Sequence, residues 1–371
     1  MNTKKNNWII SKGTDLLFLF TPVWILWIVF LSNPSYFEGS NLPLWGWVIF
    51  ILGIDVSHVW SSLFRTYLNK EEFLAHKQVL IIAPIIAFVL SLTLLFLSVE
   101  WFWRAMAYLA VFHFIKQQYG FLALYKGRAG DRFQSFLSDK FMIYFVTIYP
   151  VLFWHFNADS SFNWFVQNDF FQMYQWLPKS AIGLFFTVGN YVYWAIVGFW
   201  LFKQWQAAQK GETISTGKVL WLATTALNWW LGIVYFNSDL VFSVSNVVAH
   251  GVPYIALIYY YGKRKTELKT GQPMVISKRL KWILALVATV LIIAFIEEYF
   301  WDMLIYREHD VFFESIYPYR ISQLIESPAA LIALAILALP QQVHYIIDGF
   351  IWRMNARNKY LKSIFSSNHG S

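Results

Sequence analysis

The chain has 371 residues, of which 58% are hydrophobic and only 13% are charged. A soluble domain carries about twice that share of charged residues, so the composition indicates a polytopic membrane protein. The net charge of +8 comes from basic residues in short loops between apolar segments, a distribution that argues against a nucleic-acid partner. Cysteine is absent, which excludes disulfides, iron–sulfur clusters and thiolate-ligated metals.

Apolar windows of about 20 residues, the length of a helix that crosses a bilayer, occur ten times. The predicted spans are residues 14–31, 43–63, 79–99, 103–125, 141–156, 181–202, 218–236, 240–261, 282–300 and 329–351. We therefore predict an all-α fold, a polytopic bundle of about ten transmembrane helices that forms one domain over residues 1–371. No small-residue cleavage site follows the first span, so we expect it to be retained rather than removed as a signal peptide.

The positions of Lys and Arg predict how the bundle is oriented. Of the 29 basic residues, 24 lie before the first span, after an even-numbered span or at the borders of these segments, and four lie in the other loops or at their borders. Cytoplasmic loops carry an excess of Lys and Arg. We therefore expect both termini to be cytoplasmic, in the lipid bilayer of a bacterial cytoplasmic membrane. Residues 157–180, which are dense in Phe and Trp, are expected to form an interfacial helix on the outer side.

Four of the eight histidines lie inside predicted spans, namely His58, His113, His250 and His344. Their spans, the second, fourth, eighth and tenth, all run in the same direction in the predicted topology. The next cytoplasmic basic residue follows these histidines after seven, thirteen, thirteen and nine residues. At about 1.5 Å of rise per residue, each histidine lies roughly 10–20 Å from the inner boundary. Ionisable groups at membrane depth usually mark function, so we predict one shared site.

Each of these histidines has a polar companion three or four residues away, on the same helical face. The companions, in chain order, are Asp55, Gln117, Asn246 and Asp348. Metal-binding imidazoles are oriented by hydrogen bonds from their surroundings, and carboxylates are themselves ligands in many sites. We predict that the four histidines bind a transition metal and that the companions act as catalytic or orienting residues. Iron is the leading choice, with zinc, copper and manganese as alternatives.

Two short motifs, His113-Phe114 and His344 to Asp348, resemble the Brp/Blh family of integral-membrane β-carotene cleaving dioxygenases. The resemblance implies a helix bundle with histidines from several helices around one non-haem iron. The chain departs from the family pattern because it has no Pro-His-Gly opening motif, no paired histidines one turn apart and a shorter final His-to-Asp spacing. The resemblance therefore implies a membrane-embedded multi-histidine metal oxygenase and does not imply a carotenoid substrate.

Together these patterns predict a membrane oxidoreductase or oxygenase that acts on a lipophilic small molecule and has a possible electron donor on the cytoplasmic side. A second hypothesis starts from Ala249-His250-Gly251, which is similar to the His-Gly segment of membrane-bound O-acyltransferases, where the histidine would be a general base. A third is a proton-coupled transporter with a relay of intramembrane polar residues. A fourth is a haem protein with two histidines as axial ligands.

The remaining histidines and the tyrosines have simpler interpretations. His76, His155, His309 and His369 lie in predicted loops, at span ends or in the tail, where structural roles suffice. Even within a span, a single histidine is about as often a hydrogen-bonding residue between helices as a ligand. Three tyrosines near the predicted site are candidate donors to a bound oxygen species, namely Tyr119, Tyr254 and Tyr345.

Overall fold

A computed structural model of the chain describes residues 6–316 and 328–365, and all regular secondary structure within these ranges is helical. The helices are α1 Lys12–Ser32, α2 Pro34–Phe37, α3 Leu44–Arg65, α4 Lys70–Leu97, α5 Val99–Ala129, α6 Asp139–Phe156, α7 Lys179–Gln209, α8 Thr216–Trp230, α9 Asp239–Thr270, α10 Ile276–Tyr306, α11 Asp310–Glu314, α12 Pro328–Ile351 and α13 Lys359–Phe365. Lys4, Lys5 and His369, which entered the sequence predictions, lie outside the described residues.

Among the described residues, seven helices are long and apolar enough to cross a membrane: α1, α3, α4, α7, α9, α10 and α12. The chain is therefore helical and of the integral-membrane type, as its composition predicts. The other three predicted spans are also helices, α5, α6 and α8. Polar side chains such as Lys116 and Gln117 in α5 make that helix less apolar than the seven. The count of ten spans stays a prediction.

Side-chain caps fix the starting points of several described helices, α6 and α8 among them. Ser138 Oγ accepts a hydrogen bond from the backbone N–H of Phe141 at 3.1 Å, at the start of α6. Ser215 Oγ accepts one from the backbone N–H of Lys218 at 3.2 Å, at the start of α8. Each cap satisfies a backbone donor that has no partner within its own helix and contributes about 1 kcal/mol.

The first of two compact units comprises residues 1–42, 107–253 and 361–371. Its aromatic core is built from Phe114, Trp154, Trp229 and Phe242 together with aliphatic residues of α5 and α6 and Ile233, which follows α8. The unit boundaries fall inside α5 and inside α9, so each of these two helices contributes residues to both units. A single domain over residues 1–371 therefore remains a prediction.

A buried ionic cluster joins α6 and α8 within the first unit. Lys218 is fully buried, and its Nζ lies 2.7 Å from Asp131 Oδ2 and 3.2 Å from Asp139 Oδ2. It also donates to Gln204 Oε1 at 3.0 Å, and Trp200 Nε1 donates to Asp139 Oδ1 at 3.2 Å. A buried ammonium of this kind is stable only while its carboxylate partners remain in place.

The second unit comprises residues 43–106 and 254–360. Here α12 packs along α4, where Leu80, Ala83 and Ala87 contact Val343 and Ile347. The small alanine side chains let the two helices approach closely, as is usual between membrane helices. This packing positions the segment of α12 that carries His344.

Arg65, at the end of α3, fixes the C-terminal end of α12. Its buried guanidinium forms an ion pair with Glu72 and donates to the carbonyl oxygen of Ile351 at 2.8 Å and to Asn358 Oδ1 at 3.0 Å. The same group lies over the ring of Tyr261, 4.0 Å from its centroid. A cation at the C-terminus of a helix interacts favourably with the helix dipole, so Arg65 links α3 and α12.

The predicted interfacial helix over residues 157–180 is wrong. The segment is irregular up to the start of α7, except for a single 3₁₀ turn at Met173–Gln175. Asp169 Oδ2 accepts hydrogen bonds from the backbone N–H groups of Trp164, Phe165 and Val166. Burial raises the pKa of Asp169 above its ordinary value, against these hydrogen bonds, which favour the ionised form. The carboxylate therefore organises this segment as a loop.

Replacing Lys218 with methionine tests the buried ionic cluster. We expect Lys218→Met to lower the free energy of unfolding by about 3–5 kcal/mol, because Asp131 loses a buried cation that lies 2.7 Å away. Denaturant unfolding in detergent micelles, followed by tryptophan fluorescence, measures the effect. Lys210→Met, at an exposed position at the end of α7, is the control and should change stability by less than about 0.5 kcal/mol. Equal stability of the two variants would contradict the assignment.

Candidate metal centre

His58 lies in α3 directly after a π-helical stretch, Trp47–Val56, and within one regular turn, Ser57–Ser61. The π-helical stretch changes the direction in which the following side chains point, and such irregularities are frequent at functional sites. His58 is buried, and its Nδ1 lies 3.5 Å from Asp55 Oδ1. That distance is an electrostatic contact slightly longer than a normal hydrogen bond.

His344 lies in the second part of α12, Leu339–Ile351, whose first turn contains a proline, a residue suited to the start of a helix. It is also buried, and its Nε2 lies 3.8 Å from Asp348 Oδ2. The rings of His58 and His344 meet edge to face, with centroids 5.0 Å apart. The second unit thus brings together two imidazoles, each with a carboxylate one helical turn away.

The depth of His344 is fixed by Gln342 on the same helix. Gln342 Oε1 accepts from the hydroxyl of Ser91 in α4 at 2.9 Å, and its Nε2 donates to the sulfur of Met106 at 3.1 Å. Both interactions lie within the buried part of the second unit. Polar contacts between membrane helices are worth about 0.6 kcal/mol on average, so their main effect here is to set the register of α12.

His113 in α5 and His250 in α9 form a similar pair within the first unit. Both are buried, and their ring centroids lie 5.1 Å apart. Phe114 stacks on the imidazole of His250, with centroids 3.8 Å apart and an interplanar angle of 8°. Because Phe114 is itself packed in the aromatic core of this unit, the stack fixes the plane of the His250 ring.

The two amide companions bond to backbone carbonyls. Gln117 Nε2 donates to the carbonyl oxygen of His250 at 2.9 Å, and Asn246 Nδ2 donates to that of Phe242 at 3.0 Å. Among the described residues, Gln117 Oε1 and Asn246 Oδ1 are buried acceptors without a hydrogen-bond partner. The carbonyl contact of Gln117 ties α5 to α9, and the orienting role that the sequence predicts for both amides stays a prediction.

Four buried histidines, each offering one ring nitrogen, have these nitrogens within 4.8 Å of one another: His58, His113, His250 and His344. They could hold a transition-metal ion. A metal–nitrogen bond of 2.0–2.1 Å limits two nitrogens on one ion to a separation of at most about 4.2 Å, so any pair 4.8 Å apart would have to approach by at least about 0.6 Å.

The other described histidines have structural contacts. His76 Nε2 hydrogen-bonds Asn358 Oδ1 at 2.8 Å, although His76 lies in helix α4 rather than in a loop. His155 at the end of α6 contacts the hydroxyl of Tyr108 at 2.7 Å. His309 packs against the ring of Trp47, with centroids 4.0 Å apart. These contacts account for the three side chains without a ligand.

Two residues near the histidines make contacts that the sequence pattern does not predict. Tyr254 donates its hydroxyl to Asp348 Oδ1 at 2.6 Å, and Phe114 stacks on His250. For Tyr119 and Tyr345, the other tyrosines that the sequence suggested, a role as donors stays a prediction. The sequence suggests Tyr254 as a donor to a bound oxygen species, and in the structure its hydroxyl bonds to Asp348.

Comparisons with models of known protein families, with curated proteins and with solved structures find no match.

Proposed function

We propose that the protein is a membrane-embedded, metal-dependent oxidoreductase or oxygenase that acts on a lipophilic substrate. His58, His113, His250 and His344 are the ligands, and iron is the leading choice of metal. The observation that carries the proposal is that four buried imidazoles offer ring nitrogens within 4.8 Å of one another. Ionisable side chains are rare within membrane-spanning helices, and a cluster of them usually marks a functional site.

The two carboxylates can balance the charge of a metal ion at the proposed site. Four neutral imidazoles add no charge to a divalent ion, so its two positive charges require compensation in a poorly polarisable interior. Asp55 and Asp348, which lie 3.5 Å and 3.8 Å from His58 and His344, supply two negative charges. Each of them serves as a further ligand or holds the neighbouring imidazole in its ligating orientation.

Gln117 and Asn246 are proposed to act through hydrogen bonds rather than charge. Their buried amide oxygens are acceptors for an imidazole N–H or for a polar group of the substrate. When bound, iron in a histidine and carboxylate environment with an open position would supply the activation of dioxygen. The residues of this chain would hold the ion, balance its charge and keep the site dry.

The proposed partners follow from the apolar composition. A site among membrane helices is reached most readily by a lipophilic small molecule dissolved in the bilayer, and a donor on the cytoplasmic side would supply electrons. The membrane is proposed to be the cytoplasmic membrane of a bacterium. The Brp/Blh-like motifs, His113-Phe114 and His344 to Asp348, support the same class of enzyme.

The proposed topology has ten spans with both termini in the cytoplasm. Its support is the distribution of Lys and Arg, which are concentrated before the first span and after each even-numbered span. The strongly basic segment between α9 and α10 would then face the anionic lipids of the inner leaflet.

Reporter fusions test this topology. Alkaline phosphatase fused after Ser160, in the segment that follows α6, should be active because that segment is predicted to lie outside. The same enzyme fused after Gly271, between α9 and α10, should be inactive, and a fluorescent protein at the same position should be bright. The reverse pattern, or equal activity at the two positions, would contradict the ten-span arrangement.

Metal analysis tests the proposed site. Protein purified in detergent and reconstituted anaerobically with Fe²⁺ should retain about one ion per chain, measured by elemental analysis after desalting. His58→Ala and His113→Ala should each lose most of the bound iron, because each removes one proposed ligand. His155→Ala, which removes a buried histidine with contacts to Tyr108 and Val151, is the matched control and should retain it. Reconstituted wild-type protein without stoichiometric metal would refute the proposal.

Activity of the variants separates the metal enzyme from the acyltransferase hypothesis. With a lipophilic substrate in proteoliposomes, dioxygen consumption should fall to background in His344→Ala and in His250→Ala alike, because both residues are proposed to hold the same ion. An acyltransferase would instead consume a thioester and depend on His250 while tolerating His344→Ala. Thioester turnover with that pattern of dependence would therefore contradict the oxidoreductase.

A further inference from the structure

Tyr254 lies beside the histidine–carboxylate pairs of the second unit. It is 1% exposed, and its ring centroid lies 5.0 Å from that of His344 and 5.8 Å from that of His58, edge to face in both cases. The ring packs against Ile258, Leu286 and neighbouring residues of the hydrophobic cluster. The phenol is thus held in one orientation by its surroundings, with its hydroxyl directed to Asp348.

The contact with Asp348 divides the roles of the two carboxylate oxygens. Tyr254 donates its hydroxyl to Oδ1 at 2.6 Å, a length typical of a strong hydrogen bond to an ionised acceptor. Oδ2 is the oxygen that lies nearer His344, at 3.8 Å from Nε2. A carboxylate anchored through one oxygen cannot rotate freely, so the other oxygen stays directed to the imidazole.

We infer that Tyr254 is a positioning residue that holds Asp348 in the orientation required for metal binding by His344. This inference rests on the proposed function, since it assigns a role within the same site. Residues that orient the ligands of a metal usually change its affinity 10–100-fold when they are replaced. Tyr254 would act indirectly, by orienting Asp348.

The neighbouring pair provides a comparison within the same unit. Asp55 lies 3.5 Å from His58 on the same helix, so His58, like His344, has a carboxylate about one helical turn away. The hydroxyl of Tyr254 bonds to the carboxylate beside His344, so its loss should weaken metal binding by His344 rather than the whole fold. Phenylalanine at position 254 keeps the ring and its packing, so the variant isolates the hydroxyl.

Cobalt titration in a double-mutant cycle tests the inference. The probe is Co²⁺, whose visible absorption reports both its affinity and its ligand environment. Tyr254→Phe should raise the Kd for Co²⁺ by about 10–100-fold and alter the visible spectrum, with an unfolding midpoint close to that of the wild type. Because Tyr254 acts through Asp348, adding Tyr254→Phe to Asp348→Ala should cause little further loss. Tyr259→Phe, a partly buried tyrosine on the same helix that packs against Trp282, is the control and should bind Co²⁺ like the wild type.

Three outcomes of this experiment would contradict different claims. An unchanged Kd and spectrum in Tyr254→Phe, with normal binding by the wild type, would overturn the role of Tyr254 and leave the metal site standing. Losses that add in the double variant would overturn the action through Asp348. Wild-type protein that binds no Co²⁺ would overturn the proposed function and this inference together.

Discussion

Compensation of charge inside an apolar helix bundle is the constraint on which the proposed site depends. Two unit charges about 4 Å apart interact by about 4 kcal/mol at an effective dielectric constant of 20, so the placement of even one carboxylate matters. Asp55 and Asp348 lie within 4 Å of His58 and His344. A divalent ion held by neutral imidazoles would meet two negative charges there. The carboxylates, in turn, would be costly to bury without a cation nearby.

The two histidine pairs are held by different forces. In the second unit, His58 and His344 have carboxylate neighbours, and Tyr254 anchors one of these carboxylates. In the first unit, stacking by Phe114 fixes the plane of His250, and the nearby polar groups are uncharged amides. One pair therefore has carboxylates nearby that can balance the charge of an ion, whereas the polar neighbours of the other pair are uncharged.

The helices and the four candidate histidines could be predicted from the sequence because both depend on local patterns of residues. A run of about 20 apolar residues indicates a span wherever it occurs, and a histidine inside such a run stands out from its neighbours. The companions Asp55 and Asp348 follow from helical spacing alone. Residues 157–180 were predicted wrongly, because aromatic content carries no 3.6-residue period and the loop depends on the backbone hydrogen bonds of Asp169.

The contacts that could not be predicted from the sequence join residues that are far apart in the chain. Tyr254 and Asp348 are 94 residues apart, and nothing in the local pattern pairs them. Phe114 follows His113 directly, yet it stacks on His250, which only the packing of α5 against α9 determines. The π-helical stretch before His58 also lacks a propensity signal, since it depends on how α3 packs rather than on which residues compose it.

The burial of the histidines bears on which chemistry suits them. A general base in an acyltransferase requires one imidazole with access to its substrate, and it leaves the other three without a role. Burying polar side chains inside a helix bundle is costly unless their interactions compensate for it, so four clustered imidazoles favour a role that uses all of them together. A proton relay would need water on both sides, whereas all four histidines are at most 4% exposed. A bound metal ion would use all four imidazoles as ligands, and the metal–ligand bonds would offset the cost of burying them.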